Sequence, residues 1–360
     1  MPSAQVMRET APTESFRSET VRSRFDLPPG QPLRFEIEAK VPDTGIGAIV
    51  GPSGSGKTLI AEALYGGTPA LEWHADTILD DMPEGSQMDD IIGTLTAVGL
   101  SSIPAWLQPY GTLSTGQQFR AMIARRILET EPETRVVIDE YTSVVDRQVA
   151  RAVSVALGKH ARRVGSNLTV VSCHTDFLEW LQPDWVFYTD TRELKEWVHP
   201  RPELTIHVRE VTSREGRRAW KTFRHHHYLS GNLMTSARVF LAYAELPEPT
   251  LCGFFSIKPV MGMTGWRSGH RTVILPDYQG MGIGNRLIEA VAERLHTEDG
   301  LRFRATTSAF GIVAHRRKRP EMWRCVSAPK IRPQHRGEAI GTPWAPRLTS
   351  SWVYIPEDLR

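Results

Sequence analysis

Gly51-Pro52-Ser53-Gly54-Ser55-Gly56-Lys57-Thr58 has the spacing G-x-x-x-x-G-K-[ST]. It follows an apolar run, Ile46-Gly47-Ala48-Ile49-Val50, and opens a stretch of helical composition at 59–64. In that context the pattern is a phosphate cradle. Glycines let the backbone N–H groups of Gly51, Ser53, Gly54, Ser55 and Gly56 close around phosphate oxygens, and the helix N-terminus adds positive potential. Lys57 reaches the terminal phosphates of a nucleoside triphosphate, and the Thr58 hydroxyl is a ligand for Mg2+. A complementary pattern follows in Val136-Val137-Ile138-Asp139-Glu140, an apolar strand ending in two carboxylates. Asp139 is expected on the metal side of the phosphates with Thr58, and Glu140 beside the attacking water. Together these residues predict ATP binding and hydrolysis with Mg2+.

A second glycine pattern lies far downstream. The strand at 271–275 runs into Pro276-Asp277-Tyr278-Gln279-Gly280-Met281-Gly282-Ile283-Gly284, and an amphipathic helix at 285–295 follows. Backbone N–H groups of Gly280, Met281, Gly282, Gly284 and Asn285 could hold an anion at that helix start. Arg224-His225-His226-His227-Tyr228 supplies titratable groups, and histidine suits proton transfer near pH 7. Consecutive histidines cannot all face one site. His226, His227 and Tyr228 are the candidate acid–base residues; a surface cluster, a helix cap or a metal site is the alternative. His315-Arg316-Arg317-Lys318-Arg319, continuing through Trp323, Lys330, Arg332, His335 and Arg336, interleaves cations with aromatics as phosphate contact and base stacking require. A plain basic loop would carry the same residues.

Strands at 33–39, 46–50, 135–138 and 168–172 alternate with helical stretches such as 116–130, which implies an α/β domain with a largely parallel sheet. Residues 1–24 read as a disordered tail, and His199-Pro200-Arg201-Pro202 as a linker. Strands at 203–211, 237–243, 250–257, 271–275 and 301–307 follow the linker. The 360 residues thus divide into a tail at 1–24, one domain at 25–198 and a second at 199–360. The net charge of +2 conceals an asymmetry. Residues 201–360 carry 25 Lys and Arg against 14 Asp and Glu, a net of +11, which leaves −9 for residues 1–200. Either the second half meets a polyanion such as nucleic acid, or it has a solvated basic face and holds an anionic cofactor. Cys173, Cys252 and Cys325 are scattered without metal-ligand spacing, which fits a reducing, cytoplasmic location. No run approaches the ~20 apolar residues of a membrane span, so no membrane partner is expected.

Leu113-Ser114-Thr115-Gly116-Gln117-Gln118 and the helix after it resemble the signature of the ABC-type ATPases. Glu140-Tyr141-Thr142-Ser143-Val144-Val145-Asp146 is similar to that family's Walker B exit and D-loop, and Ser172-Cys173-His174 to its switch histidine. The resemblance implies a head-to-tail homodimer on ATP binding. Ser114, Gly116 and Gln117 would act on the partner's nucleotide, with Glu140 positioning water and His174 contacting the γ-phosphate. The chain departs from the family at Thr115, at Tyr141 and in the short interval before Leu113, where no Q-loop glutamine is evident. The Q-loop region is where transporters grip their membrane partners, so the departure argues against transport.

The block from Arg271 to Leu287 resembles motif A of the GNAT acyltransferases. That resemblance implies acetyl-CoA, or another acyl-CoA, with its pyrophosphate on the backbone from Gln279 to Asn285 and its pantetheine along Val273 and Leu275. It also implies direct attack of an amine on the thioester. The family's usual tyrosine acid after strand five is missing, and Ser308 stands there as the candidate acid or substrate contact. The whole reads as an α/β P-loop, ABC-type ATPase domain followed by an α+β GNAT domain. The expected activity is ATP-regulated N-acylation of a base or amine in nucleic acid, bound through His315 to Arg336. In architecture the chain resembles tRNA cytidine acetyltransferases, and in its His/Tyr residues Mom-like DNA-modifying GNAT enzymes. Two alternatives stand beside it: a DNA-handling ATPase with a non-catalytic GNAT-like module, and an acetyltransferase for a protein or small-molecule amine.

Overall fold

The computed structural model describes residues 2–10, 15–26, 33–67, 69–131, 134–227, 232–245, 248–332 and 347–360. In chain order the elements begin with β1 (Ser3–Thr10), α1 (Phe16–Arg24), β2 (Leu33–Lys40), β3 (Ile46–Val50) and α2 (Lys57–Tyr65). Next come α3 (Met88–Ala97), α4 (Ile103–Trp106), α5 (Thr115–Glu129), β4 (Arg135–Ile138) and α6 (Arg147–Val164). β5 (Asn167–Ser172), α7 (Leu178–Leu181), β6 (Trp185–Tyr188) and β7 (Glu193–Glu196) follow. The remainder is β8 (Ile206–Val211), α8 (Ser213–Phe223), β9 (Arg238–Glu245), β10 (Pro249–Pro259), β11 (Trp266–Ile274), α9 (Ile283–Asp299), β12 (Arg302–Thr307), α10 (Phe310–Arg317), β13 (Trp323–Arg332) and β14 (Arg347–Tyr354).

Packing divides these elements into two compact units, and not at 198/199. The first takes Met1–Glu72, Thr130–Val144 and Gly158–Arg201; the second takes Trp73–Glu129, Val145–Leu157 and Pro202–Arg360. Residues 73–129 and 145–157, read from sequence as part of the ATPase half, therefore pack with the C-terminal half.

The first unit holds a five-stranded sheet in the order β4-β5-β3-β6-β7. The first four strands are parallel and β7 is antiparallel at the edge. All five residues of β3 are buried, as expected of a central parallel strand covered on both faces. Ile49 joins Ile60 and Ala61 of α2, Val137, Val171, Trp185 and Phe187 in one core. The tail expected at 1–24 is instead β1 and α1. β1 pairs antiparallel with β2, Ala4 opposite Ala39 and Val6 opposite Ile37, and Val6 packs on that core. Two apolar residues at alternate positions suffice to give the strand a buried face. α1 buries no residue and is held locally, by a capping box between Ser15 and Ser18.

The second unit is built on a seven-stranded sheet in the order β13-β14-β12-β11-β10-β9-β8. Every neighbouring pair is antiparallel except β11 and β12. α8 lies over Phe254 and Val273 through Trp220 and Phe223. The buried face of α9 includes Leu287, Ile288, Val291 and Leu295.

Part of the basic segment is built into this fold, while Arg317, Lys318 and Arg324 are exposed. Trp323 is buried, and its indole N–H donates to Glu289 Oε1 at 3.1 Å. His315 Nε2 lies 2.7 Å from the same oxygen, Arg319 is 3.7 Å from Glu289 Oε2, and buried Arg316 stacks on Trp323 at 4.0 Å. Trp323 is thus a core residue, which overturns its assignment to base stacking; the aromatic was placed by the sheet and not by the charges beside it. Residues 333–336, and the side chains of Lys330 and Arg332, lie outside what the structure describes.

Burial opposes the charge on Glu289, but His315, Trp323 and Arg319 outweigh it and hold the carboxyl below its ordinary range. Glu289→Ala should remove about 3 kcal/mol of stability, because it strands the buried groups around it. Burial also pushes His160 and His270 down to about 4. The unfolded chain therefore takes up protons that the folded chain refuses as pH falls below about 6.5. Urea midpoints are expected to fall steadily between about pH 7 and about pH 4.5, and His160→Asn should flatten part of that slope.

Candidate functional site

The nucleotide-type residues gather at one edge of the first unit. β4, β5 and β3 are adjacent and parallel, so the residues after their C-terminal ends emerge together, as ligand-binding loops do in open α/β sheets. They are Asp139 and Glu140 after β4, His174 after β5 and Gly51 to Lys57 after β3. Gly54 and Gly56 have φ of 78° and 83°, and Gly56 is the N-cap of α2 with no side-chain cap. The first N–H groups of α2 are therefore left for an external acceptor. Lys57 Nζ donates to Pro52 O at 2.7 Å, which folds the lysine back over the loop.

Three residues support this edge, and of them Thr189 was absent from the sequence reading. Thr189 Oγ1 lies 2.5 Å from Ser55 Oγ, and a side chain at Gly51 would collide with it. Ser143 Oγ donates to Glu140 Oε2 at 2.7 Å, while Asp139 Oδ1 accepts the Glu140 N–H at 2.8 Å. Glu140 has φ of 51°, an uncommon conformation for a non-glycine residue, and these two bonds hold it there. Ser172 Oγ donates to Tyr141 O at 2.7 Å and accepts the His174 N–H at 3.0 Å, tying the histidine turn to the carboxylate turn. Ser114, Gly116 and Gln117 belong to the second unit. There Ser114 and Gln117 cap α5 reciprocally: Ser114 N–H donates to Gln117 Oε1 at 3.1 Å, and Gln117 N–H to Ser114 Oγ at 3.4 Å.

In the second unit, β11 and β12 pair only from Trp266 to Ser268 against Arg302 to Arg304. Beyond Ser268 no further β11–β12 pair forms among the described residues, and the two parallel strands part. The Leu275 N–H donates to Cys252 O at 2.9 Å, so Leu275 faces β10. Antiparallel alternation then turns Val273 to β10 as well, and Thr272 and Ile274 to the open edge. The assignment of edge hydrogen bonds to Val273 and Leu275 is thus corrected by one residue. The β11 end leads through a 3-10 turn at Pro276–Tyr278 to Gly280 and Gly282, with φ of 89° and 84°. Gly282 is the N-cap of α9, again with no side-chain cap, and Met281 is buried as the loop's anchor. Gly284 and Asn285 follow in the first turn of α9.

The histidines follow α8 in a 3-10 turn, Arg224–His226. His225 is exposed, and His226 and His227 are half-buried. Burial and His225 lower the His226 pKa, while Asp277, next to the glycine loop, pulls it up. His227 sits edge-on to Trp220, 5.8 Å between ring centroids. A residue absent from the sequence reading joins them. His270 lies at the bulge where β10–β11 register shifts, between the Ser256–Arg271 and Ile257–Gly269 pairs. Its Nε2 is buried without a hydrogen-bond partner among the described residues, as is Ser256 Oγ. Burial, Arg271, Lys258 and His227 push the His270 imidazole down to about 4, so it is neutral at pH 7. A bulge shows in pairing and not in composition, which is why nothing in the sequence singled out His270. Tyr228 lies outside the described residues, and Ser308 is exposed between β12 and α10. No cluster of three or more His, Cys, Asp or Glu that could hold a metal occurs among the described residues.

Residues 176–316 match the family model of the GNAT acetyltransferases. The C-terminal part of the chain is a GNAT domain. The N-terminal part is of mixed α/β fold. Among solved structures, the dimeric post-hydrolysis ATP-binding cassette MJ0796 with ADP and Pi is similar at 14% identity, over 55% of this chain and 99% of that one, with a TM-score of 0.41. The spermidine N-acetyltransferase SpeG of Vibrio cholerae, in a mutant form, is similar at 11% identity, over 42% of this chain and 92% of that one, with a TM-score of 0.32. No curated protein matches the chain.

Glu140→Gln keeps the size of the side chain and removes its charge. It should lower ATP turnover by roughly 10²-fold with little change in nucleotide affinity. Phosphate release and fluorescent-nucleotide titration measure the two separately, and wild-type turnover in the variant would remove Glu140 from the hydrolytic role.

Proposed function

We propose that this protein is an ATP-hydrolysing, acyl-CoA-dependent N-acyltransferase whose acceptor is a base or amine in nucleic acid. The parting of β11 from β12 beside the uncapped start of α9 carries the acyl-CoA reading. That cleft offers the Thr272 and Ile274 backbone to an extended amide chain, and the N–H groups after Gly282 to a pyrophosphate. The acceptor nitrogen attacks the thioester carbonyl carbon; an N–C bond forms, the C–S bond breaks, and the sulfur leaves as the CoA thiolate, which becomes the thiol by taking the nitrogen's proton from the histidine that accepted it. His226 or His227 takes the proton lost by the nitrogen, and neutral His270 accepts a hydrogen bond from it. No covalent enzyme intermediate is required, and burial pushes the Cys252 thiol up to about 12, which removes it as a nucleophile.

The nucleic-acid part of the reading rests on α8. Arg214, Arg217, Arg218 and Lys221 are exposed on this helix, Arg224 follows them, and Trp220 and Phe223 are buried on its other face. This basic surface leads directly into the histidine turn and suits a phosphate backbone better than the segment around Trp323. In the first unit Thr58 and Asp139 would hold Mg2+, whose preference is for such oxygen donors. ATP binding would bring two chains together head to tail, Ser114, Gly116 and Gln117 acting in trans. A protein or small-molecule amine is the second reading, favoured by the burial of Trp323.

Gly282→Asp forces a side chain at φ 84° and places a carboxylate at the proposed pyrophosphate position. CoA affinity should fall by at least roughly 10²-fold while ATP binding survives, measured by calorimetry with each ligand. DNA and tRNA nucleosides from cells expressing wild type and Gly282→Asp are then compared by mass spectrometry. A heavier nucleoside seen only with wild type is expected, and its mass gives the acyl group. Identical pools, combined with acylation of a protein or polyamine by the purified enzyme, would sink the nucleic-acid acceptor.

A further inference from the structure

Gln279 does more than continue the glycine pattern. Its Oε1 accepts the Ser101 N–H at 3.0 Å, and its Nε2 donates to Ile274 O at 2.9 Å. Ser101 belongs to the turn between α3 and α4, in the stretch read from sequence as ATPase. Ile274 O lies on the open edge of β11. One side chain thus joins the ATPase-type segment to the edge on which acyl-CoA would bind.

The backbone on either side is held as tightly. Gly99 has φ of 88°, and a Cβ there would lie 2.8 Å from Gln279 O. A Cβ at Gly280 would lie 2.7 Å from Ala156 Cβ of α6 and 3.1 Å from Gly99 Cα. Gln148 Nε2 of α6 lies 3.9 Å from Met281 Sδ. The outer side of residues 279–281 is therefore walled by residues 99–101 and by α6, while Gly282 remains exposed. Beside this contact lies Arg120 of α5, 1% exposed, with no hydrogen-bond partner at Nε or Nη2 among the described residues. Its Nε would be 3.4 Å from a Cβ on Gly99. α5 is the helix capped by Ser114 and Gln117, so Arg120 and the signature-like residues share one element.

We propose that residues 99–101 clamp the acyl-CoA phosphate loop, and that Gln279 is the positioning residue through which they do so. The inference rests on the acyl-CoA reading above. The clamp fixes the backbone from Gln279 to Gly282 before ligand arrives, so that its N–H groups need not be ordered by binding. Loosening it should therefore cost acyl-CoA affinity and leave the chemical step nearly intact.

The test uses the full chain and CoA itself as the probe. Gln279→Ala removes both bonds. Gln279→Glu keeps the acceptor for Ser101 and loses the donor to Ile274. Gly99→Ala disturbs the contact from 180 residues away in sequence. Gln279→Ala and Gly99→Ala should each weaken CoA binding about tenfold, which is about 1.4 kcal/mol. They should raise KM for acyl-CoA to match, with kcat within about twofold and KM for the acceptor unchanged. Gln279→Glu should fall between them and wild type. The double variant should lose less than the product of the two single losses, because both act on one contact. If Gly99→Ala fails to fold, Gln279→Ala decides. Wild-type CoA affinity in a Gln279→Ala protein of unchanged thermal transition would overturn the clamp, as would a parallel fall of kcat and thermal stability with KM unmoved. A wild-type chain that binds no CoA would remove the acyl-CoA reading itself, an outcome separate from either.

Discussion

Both phosphate-type sites depend on the same backbone feature, a glycine in the left-handed conformation at the N-cap of a helix. Gly56 starts α2 with φ 83° and ψ 14°, and Gly282 starts α9 with φ 84° and ψ 10°. Neither start has a side-chain cap. The usual capping residues satisfy one orphan N–H with their own oxygen, whereas a glycine leaves these groups for a ligand. It also lets the chain turn sharply enough that several N–H groups converge. What differs is the strand delivering each loop. β3 is central and paired on both sides, so Thr189 can brace Ser55 from the neighbouring strand. β11 has lost its partner on one side by the time it reaches its loop, so the bracing comes from Ile274 O and Ser101.

That difference accounts for the way the chain divides. A loop with an open strand edge on one side needs packing on the other, and the α3–α4 turn and α6 supply it. Such approach requires small residues, and the contact is lined by Gly99, Gly280, Ala152 and Ala156. The same economy recurs nearby. Gly116 of α5 lies close under Val149 of α6, and Gly311 of α10 under Thr96 of α3. These contacts tie residues 73–129 and 145–157 to the GNAT sheet, and they do so through backbone proximity that composition does not announce.

The legibility of the sequence follows the same physics. The placement of Gly51 to Thr58, Asp139, Glu140 and Gln279 to Gly284 at strand ends and helix starts was readable because each pattern needs particular residue types at a particular spacing. Strand and helix positions came close for the same reason: 285–295 became Ile283–Asp299, and 301–307 became Arg302–Thr307. What could not be read depends on partners distant in sequence. Thr189 matters because β6 neighbours β3; His270 matters because β10 and β11 slip register beside it. Val273 was placed one residue off the cleft because alternation fixes only which residues agree with each other, and a hydrogen bond from Leu275 to Cys252 fixes the phase. β1 was missed because one buried and one half-buried apolar residue in a polar segment make a faint pattern.

The charge asymmetry is instructive in the same way. A net of +11 over residues 201–360 gives no location. Much of it is bound internally: Arg238 pairs with Glu210 and Asp299, Arg319 and His315 with Glu289, Arg294 with Glu298 and Arg360 with Glu293. Arg209 pairs with Glu215 at the start of α8. No ion pair among the described residues involves Arg214, Arg217, Arg218 or Lys221, the exposed cations along the rest of that helix. Part of the charge that remains lies on the element that ends at His226 and His227, and the rest includes exposed Arg286, Arg302, Arg317, Lys318 and Arg324. Lys258 and Arg271 add to it from the sheet, since both depress the pKa of His270. On the nucleic-acid reading proposed above, a positive field along α8 is what would attract the polyanion. Burial first, and Arg271 and Lys258 after it, keep His270 neutral and so able to accept a hydrogen bond.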